Sequence, residues 1–402
     1  MEAASVWLRP RRGYGRRMVS PGDLDTSFAG DGKKTISFGG VDAANAVLVQ
    51  PNGRIVVAGG GAAANRFCVA RLRSNGTLDT AFGSGGKRVI SFGGHGLGES
   101  VFGAALQPDG KIVLAGGSDL RAAVARLNPN GSLDTTFSGD GKKTFNWAPG
   151  DFSRTQAVLV LPNGKLVVAG FSGPEGGDIQ AARLKANGAL DTAFGTGGKA
   201  AVDFGGTEFG FAAARQADGR IVVAGFTQAN GPPSGGAVVA RLRANGTLDP
   251  DFDGDGRLML PGGGRARAVL VQPDSKIVVA GNPGLSEVMT VTRLNPNGSP
   301  DTTFDGDGTA VIDFGLGSDR AEGAVLQPDG KIVIAGTAQA GVAVARLNAN
   351  GSPDATFGAA GKAAVDFGAA TSGNAVALQP NGRIVVAGQR SGGDFAVARL
   401  LG

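Results

Sequence analysis

One unit recurs seven times along this 402-residue chain, and that repetition constrains its fold more than any other feature. The marker Gln50-Pro51-Asn52-Gly53-Arg54-Ile55-Val56-Val57-Ala58-Gly59 returns with its branched residue at Ile112, Leu166, Ile221, Ile277, Ile332 and Ile384, at spacings of 57, 54, 55, 56, 55 and 52 residues. A second marker, Leu24-Asp25-Thr26-Ser27-Phe28, returns with its aspartate at Asp79, Asp134, Asp191, Asp249, Asp301 and Asp354. Length alone would suggest two or three domains. Repetition removes that inference, because repeated units build one architecture of almost any length.

Each unit reads as four short strands. In residues 46–92, Ala46 to Gln50 is a compact apolar strand, and Pro51-Asn52-Gly53 is a tight turn with proline at the first corner and glycine free to take positive φ. Arg54 to Ala58 is a Val/Ile-rich run, too short for a helix and followed by glycine. Phe67 to Leu72 and Lys87 to Phe92 supply the third and fourth strands, with Ile90 and Phe92 on one face by the period of two. The expected fold is therefore all-β: a seven-bladed β-propeller with four antiparallel strands per blade.

The order of strands decides between a ring and an open solenoid. Leu24 to Phe38 reads as the fourth strand of a unit, and the chain ends in a third strand, Phe395 to Leu400. Pairing the N-terminal strand with the last blade completes the circle and removes two exposed edges. A solenoid would carry atypical capping repeats instead, and none is visible. The expected organisation is a basic, disordered tail over 1–19 and a monomeric propeller over 20–402.

Two finer regularities fit a ring. The position four before the marker glutamine is always small (Ala46, Gly103, Ala157, Ala212, Ala268, Gly323, Ala375), as crowding of inner strands around an axis demands. Every third strand carries an arginine (Arg71, Arg126, Arg183, Arg241, Arg293, Arg346, Arg399). Seven arginines and seven marker aspartates point to a repeated structural ion pair, since function breaks local regularity rather than repeating it.

Taken together, Gln-Pro-Asp/Asn-Gly-Lys/Arg-Ile-Val-Val-Ala-Gly, Ala-Arg-Leu-x-x-Asn-Gly-x-Leu/Pro-Asp-x-x-Phe and Gly-Lys resemble the delta-60 repeat of bacterial β-propeller proteins, which is similar to NHL-type propellers. The resemblance covers residues 24–402. It implies a propeller and an extracellular or cell-surface setting, and it carries over no reaction and no catalytic residue. Leu161, Ala217 and Ser275 depart from the pattern, replacing its glutamine, proline and turn glycine.

Composition excludes several classes. Glycine reaches 71 residues without a Gly-X-Y period and with only 19 prolines, so the chain is not collagen-like. The net charge of +5 sits mostly in Arg9, Arg11, Arg12, Arg16 and Arg17 against Glu2, leaving 34 basic and 33 acidic residues in the remainder. That near-neutral propeller lacks the broad basic field of a nucleic-acid binder. The N-terminal stretch has no apolar run of signal-peptide length, and no segment is apolar enough to span a membrane.

Catalytic and metal motifs are sparse. His95, the sole histidine, lies in a loop and reads as solvated. Cys68, the sole cysteine, reads as a buried inert thiol. Asp253-Gly254-Asp255-Gly256 and Asp305-Gly306-Asp307-Gly308 look like calcium loops but lack the later bidentate glutamate, and other units replace their aspartates, so turns explain them. No cofactor or metal is expected. Most phenylalanines fall at repeated positions such as Phe28, Phe82 and Phe137, which leaves few residues for a stacking platform.

Function should therefore sit where the repeats differ. The turn after the first strand and the loop after the third are nearly constant; the loops at the opposite end of each blade vary, and varied loops on a rigid scaffold are the usual seat of recognition. There, the residue before each small position should ring the mouth of the channel: Asn45, Phe102, Gln156, Phe211, Arg267, Glu322 and Asn374. The expected function is a non-catalytic scaffold that binds a protein or small molecule through this face. The alternative is a metal-dependent hydrolase or lactonase at the mouth, for which Glu322 and nearby Asp319 are the available carboxylates.

Overall fold

The Val/Ile-rich run of each marker forms the second strand of a blade and is buried on both faces; Ile55, Val56, Val57 and Ala58 are at most 1% exposed. Such a strand needs a sheet neighbour on each edge and an apolar layer on each side, which is what radial stacking of blades provides. The computed structural model, which describes residues 19–61, 66–93, 98–148, 152–173, 177–229, 235–282, 284, 288–315, 317–339 and 341–402, shows seven four-stranded antiparallel sheets. After β1 (Lys33–Ile36), blade 1 comprises β2 (Ala43–Val49), β3 (Ile55–Gly61), β4 (Arg66–Leu72) and β5 (Lys87–Ile90). Blades 2 to 6 repeat that order through β25, and blade 7 contains β26 (Thr371–Leu378), β27 (Ile384–Arg390) and β28 (Asp394–Leu400).

The ring closes through β1, which pairs antiparallel with β28 from Lys33↔Ala398 to Ile36↔Phe395. Ile36 and Phe28 are buried with Phe395, Val397, Val57 and Cys68 in the apolar layer between blades 7 and 1. The closing strand thus contributes core as well as hydrogen bonds. Two boundaries differ from expectation. The first strand starts earlier, at Ala43, and the fourth ends at Ile90, so that Phe92 lies beyond it. There the chain turns away: the Phe92 N–H donates to Glu99, and the Phe92 ring meets Phe67 edge-on at 4.9 Å.

All seven arginine–aspartate pairs form. Arg71, Arg126, Arg183, Arg241, Arg293, Arg346 and Arg399 place Nε 2.6–2.9 Å from Asp79, Asp134, Asp191, Asp249, Asp301, Asp354 and Asp25 respectively. Each guanidinium also lies 4.7–5.1 Å from the ring of a marker phenylalanine, Phe82 and Phe137 among them. In Arg71, Arg126, Arg183, Arg241, Arg293 and Arg399, Nη1 reaches the following blade, as from Arg126 to the Ala186 carbonyl at 2.7 Å and from Arg183 to the Ala244 carbonyl at 2.6 Å. The pair therefore ties one blade to the next. The marker's own cation joins it: Lys111, Lys165, Lys276 and Lys331 bind the same aspartates at 2.8–3.3 Å.

Candidate functional site

The seven ring residues owe their position to a break in the sheet. In every blade the register between first and second strands shifts by one residue, between Ala44/Ala46, Val101/Gly103, Thr155/Ala157, Gly210/Ala212, Ala266/Ala268, Ala321/Gly323 and Gly373/Ala375. The residue skipped is the predicted one each time: Asn45, Phe102, Gln156, Phe211, Arg267, Glu322 or Asn374. A β-bulge leaves one residue unpaired and re-aims its side chain, and these seven line one cavity of about 500 Å³ on the axis.

The last glycine of the marker makes the bulge possible. Gly59, Gly116, Gly170, Gly225, Gly281, Gly336 and Gly388 sit opposite it, and a Cβ on any of them would come within 1.7–2.0 Å of a first-strand carbonyl oxygen. The small position beside the bulge is explained as well. A Cβ on Gly103 would meet the Gln156 carbonyl at 2.7 Å, because adjacent first strands touch around the axis.

Around the mouth the chemistry is lopsided. Asn374 donates to the Ala44 carbonyl at 2.9 Å and Asn45 to the Val101 carbonyl at 2.8 Å, so on blades 7 and 1 the amides are used to tie first strands together. Blades 3 to 5 instead present arginines against rings. Arg267 lies 4.3 Å from the Phe211 centroid, Arg265 lies 5.1 Å from Phe226, and Arg154 lies about midway between Phe102 and Phe152, at 4.9 and 5.0 Å. The rings of Phe171, Phe209 and Phe226 form a continuous wall, with centroids 4.9 and 6.2 Å apart.

This corrects the expectation of few stacking residues. Phe102, Phe171, Phe209, Phe211 and Phe226 all line the cavity, and Phe152 packs behind it on Phe171. Arg154, Arg265 and three of these rings escaped the sequence reading, which followed only the bulged position. The signal was present: the residue two before the bulge and the residue after the marker glycine vary from blade to blade as freely as the ring itself.

Electrostatically the mouth is cationic. Arg267 and Glu322 form its one ion pair among the described residues, at 3.7 Å. Burial pushes Glu322 up, opposed by Arg267, Arg320 and Arg265, and burial pulls Arg267 down. Burial likewise pulls Arg154 down, with no carboxylate to oppose it. Three arginines against one carboxylate line the cavity and repel a divalent cation rather than hold it. Asp319 is occupied elsewhere, accepting the Phe314 N–H at 2.6 Å.

Among the described residues, the carboxylates that do converge are not in the cavity lining: Asp178, Asp203 and Glu208 bring oxygens within 4.8 Å of one another. Two of them have structural duties. Asp203 accepts the Gly205 N–H as Asp313 and Asp366 accept those of Gly315 and Gly368, and Glu208 accepts the Gly206 N–H and the Thr227 hydroxyl. Burial pushes Asp178 and Glu208 up, and the Asp203 charge adds to both. Cys68 is buried, and that burial, reinforced by Asp42, pushes its thiol up to about 12. His95 lies outside the described residues, as do residues 1–18 of the basic tail.

Seven four-stranded sheets around an axis, with seven unlike side chains bulged into one mouth, define a seven-bladed β-propeller with a candidate ligand site on its variable face. The chain belongs to the DUF5122 β-propeller family, a domain of unknown function, whose pattern matches residues 50–82, 107–137, 161–194, 216–252, 272–304, 327–357 and 379–401. No curated protein matches the sequence. Among solved structures, virginiamycin B lyase from Staphylococcus aureus is similar over 92% of this chain and 99% of its own, with a TM-score of 0.57 at 10% identity. The polysaccharide lyase Uly1 is similar over 89% and 90%, with a TM-score of 0.53 at 13% identity. YCF48 bound to D1 peptide is similar over 94% and 97%, with a TM-score of 0.53 at 10% identity. At such identities the likeness is one of fold.

Proposed function

We propose that this protein is a non-catalytic binding propeller whose ligand sits in the channel mouth on the variable face. One observation carries the reading: a bulge repeated seven times delivers seven side chains to one cavity, and those side chains are unlike while the bulge itself is constant. Repetition preserves the frame and leaves the contents free to differ, which is how a scaffold carries a site. The cavity volume is that of a small-molecule pocket. The similar YCF48 is bound to D1 peptide, which supports reading this propeller as a binding platform. The resemblance to the delta-60 repeat supports the same kind of role, outside or at the surface of a bacterial cell.

A fragment screen by thermal shift tests this. Hits on the intact protein should be lost when Gln156, Arg267 and Glu322 are all replaced by alanine, and kept when Lys111 and Lys331 on the constant face are replaced. Hits that survive the first change and vanish with the second would place binding on the constant turns and overturn the reading.

A further inference from the structure

Within the mouth, Arg154 is an arginine whose enclosed Nε the protein leaves unpartnered. It lies on β10 (Ser153–Val160), two residues before the bulged Gln156. Its Nε is buried and has no hydrogen-bond partner, and no carboxylate lies within ion-pair distance among the described residues. The arginines of the third strands differ in charge pairing: the Nε of Arg399 also lacks a hydrogen bond, yet each of the seven has an aspartate at 2.6–2.9 Å. Arg154 as a whole is half-buried, and partly withdrawing a cation from water without a counter-charge is costly, so an anion supplied from outside the chain is favoured there.

The surroundings narrow what that anion is attached to. The Arg154 guanidinium lines the cavity flanked by Phe102 and Phe152, which fixes its position; its Nε is enclosed, so an incoming acceptor would meet the Nη donors. Beside it runs the wall of Phe171, Phe209 and Phe226, which offers ring faces and edges to a flat apolar body. Arg265 and Arg320 also lack an ion-pair partner among the described residues, and Glu322 matches only Arg267, so the local field favours negative charge from several sides.

We propose that the arginine–phenylalanine sector of blades 3 to 5 is a subsite for a small aromatic oxyanion, its acidic group paired with Arg154 and its ring laid against the phenylalanine wall. This rests on the reading that the mouth is the ligand site, and it adds the chemical class of the ligand. Carboxylate and phosphate share the chemistry that Arg154 recognises, a fork of negatively charged oxygens. Binding is electrostatically reinforced, so it weakens as salt rises.

Calorimetry with four probes tests it: 2-naphthoate, 2-naphthyl phosphate, acetate and 2-naphthylmethylamine. The two naphthyl anions should bind, the ratio of their dissociation constants showing which oxyanion is preferred, while acetate and the amine bind at least about tenfold more weakly, a difference of about 1.4 kcal/mol. Arg154→Leu should weaken naphthoate by about tenfold or more. Arg154→Lys, which keeps the charge and most of the stem, guards against loss of fold and should retain part of the affinity. Phe209→Ala should weaken naphthoate and leave acetate unchanged. An amine that binds as tightly as naphthoate, and loses that binding in the Gln156/Arg267/Glu322 variant, would keep the mouth as the site and overturn the ligand class. Naphthoate binding that is indifferent to Arg154→Leu, or no binding of either naphthyl anion, would overturn the inference too.

Discussion

Asp249 shows how a single residue carries the architecture here. It is fully buried and receives Arg241 at 2.7 Å and Arg220 at 2.7 Å, while Arg241 stacks on Phe252. Removing one member of such a pair leaves the other desolvated and alone, which typically costs about 3–5 kcal/mol. Asp249→Ala and Arg241→Ala should each destabilise on that scale, and the double variant should cost clearly less than their sum; additive losses in denaturant unfolding would mean that the two do not act as a pair. Ser275 gives the opposite case. It stands where other units have the turn glycine, yet still takes φ 66°, a left-handed conformation that a side chain disfavours. Ser275→Gly should therefore stabilise by about 0.5–1 kcal/mol, despite the added freedom of glycine in the unfolded chain. A lower melting temperature would show that the serine side chain compensates locally.

At the scale of the strand, the closing element has the clearest consequence. Deleting residues 1–38 removes every pairing between β1 and β28, withdraws Phe28 and Ile36 from the layer between blades 7 and 1, and exposes β28 as an edge. Deleting 1–19 removes none of those contacts. Thermal unfolding should separate the two truncations sharply, and equal stability of the longer one and the intact chain would rule out closure by β1. The closure was legible in the sequence because strand order is read directly from the phase of the repeat. The ring at the mouth was legible for a similar reason, since its members could be counted from the marker glutamine, or from Leu161 where that replaces it. The bulge that aims them was not. A bulge is a mismatch between two strands, and only pairing reveals it, although an invariant glycine inside a Val/Ile strand marks a close backbone approach. The phenylalanine wall was hidden by a majority: most phenylalanines do occupy repeated core positions, and those at Phe171, Phe209 and Phe226 stand out only once the strands are aligned.

Across the whole molecule, two sets of carboxylates pull stability in opposite directions with pH, and their balance can be measured. The seven marker aspartates are all held below the usual carboxylate range. For Asp134, burial alone would raise it, but hydrogen bonds from Thr136, Arg126 and Lys111 prevail and hold it at about 2; for Asp191 the leading cause is the hydrogen bond from Lys165, again giving about 2. In an unfolded chain these groups titrate near 3.9. Their stabilisation is complete above that value and is lost as pH falls through their folded values, because the unfolded chain takes up protons first. Asp178 and Glu208, pushed up by burial and the neighbouring Asp203, behave in reverse. The folded state protonates them before the unfolded state does, so their contribution is complete below their unfolded values and is lost as pH rises through their folded ones. Acidifying from neutral pH should first raise the melting temperature slightly, then lower it steeply below about pH 4 as the aspartate set is titrated. Asp178→Asn should raise stability at neutral pH and flatten the shallow acid-side gain while leaving the steep loss unchanged. A melting temperature that falls monotonically from pH 7, identical in the variant, would show that the Asp178 cluster carries no strain of this kind.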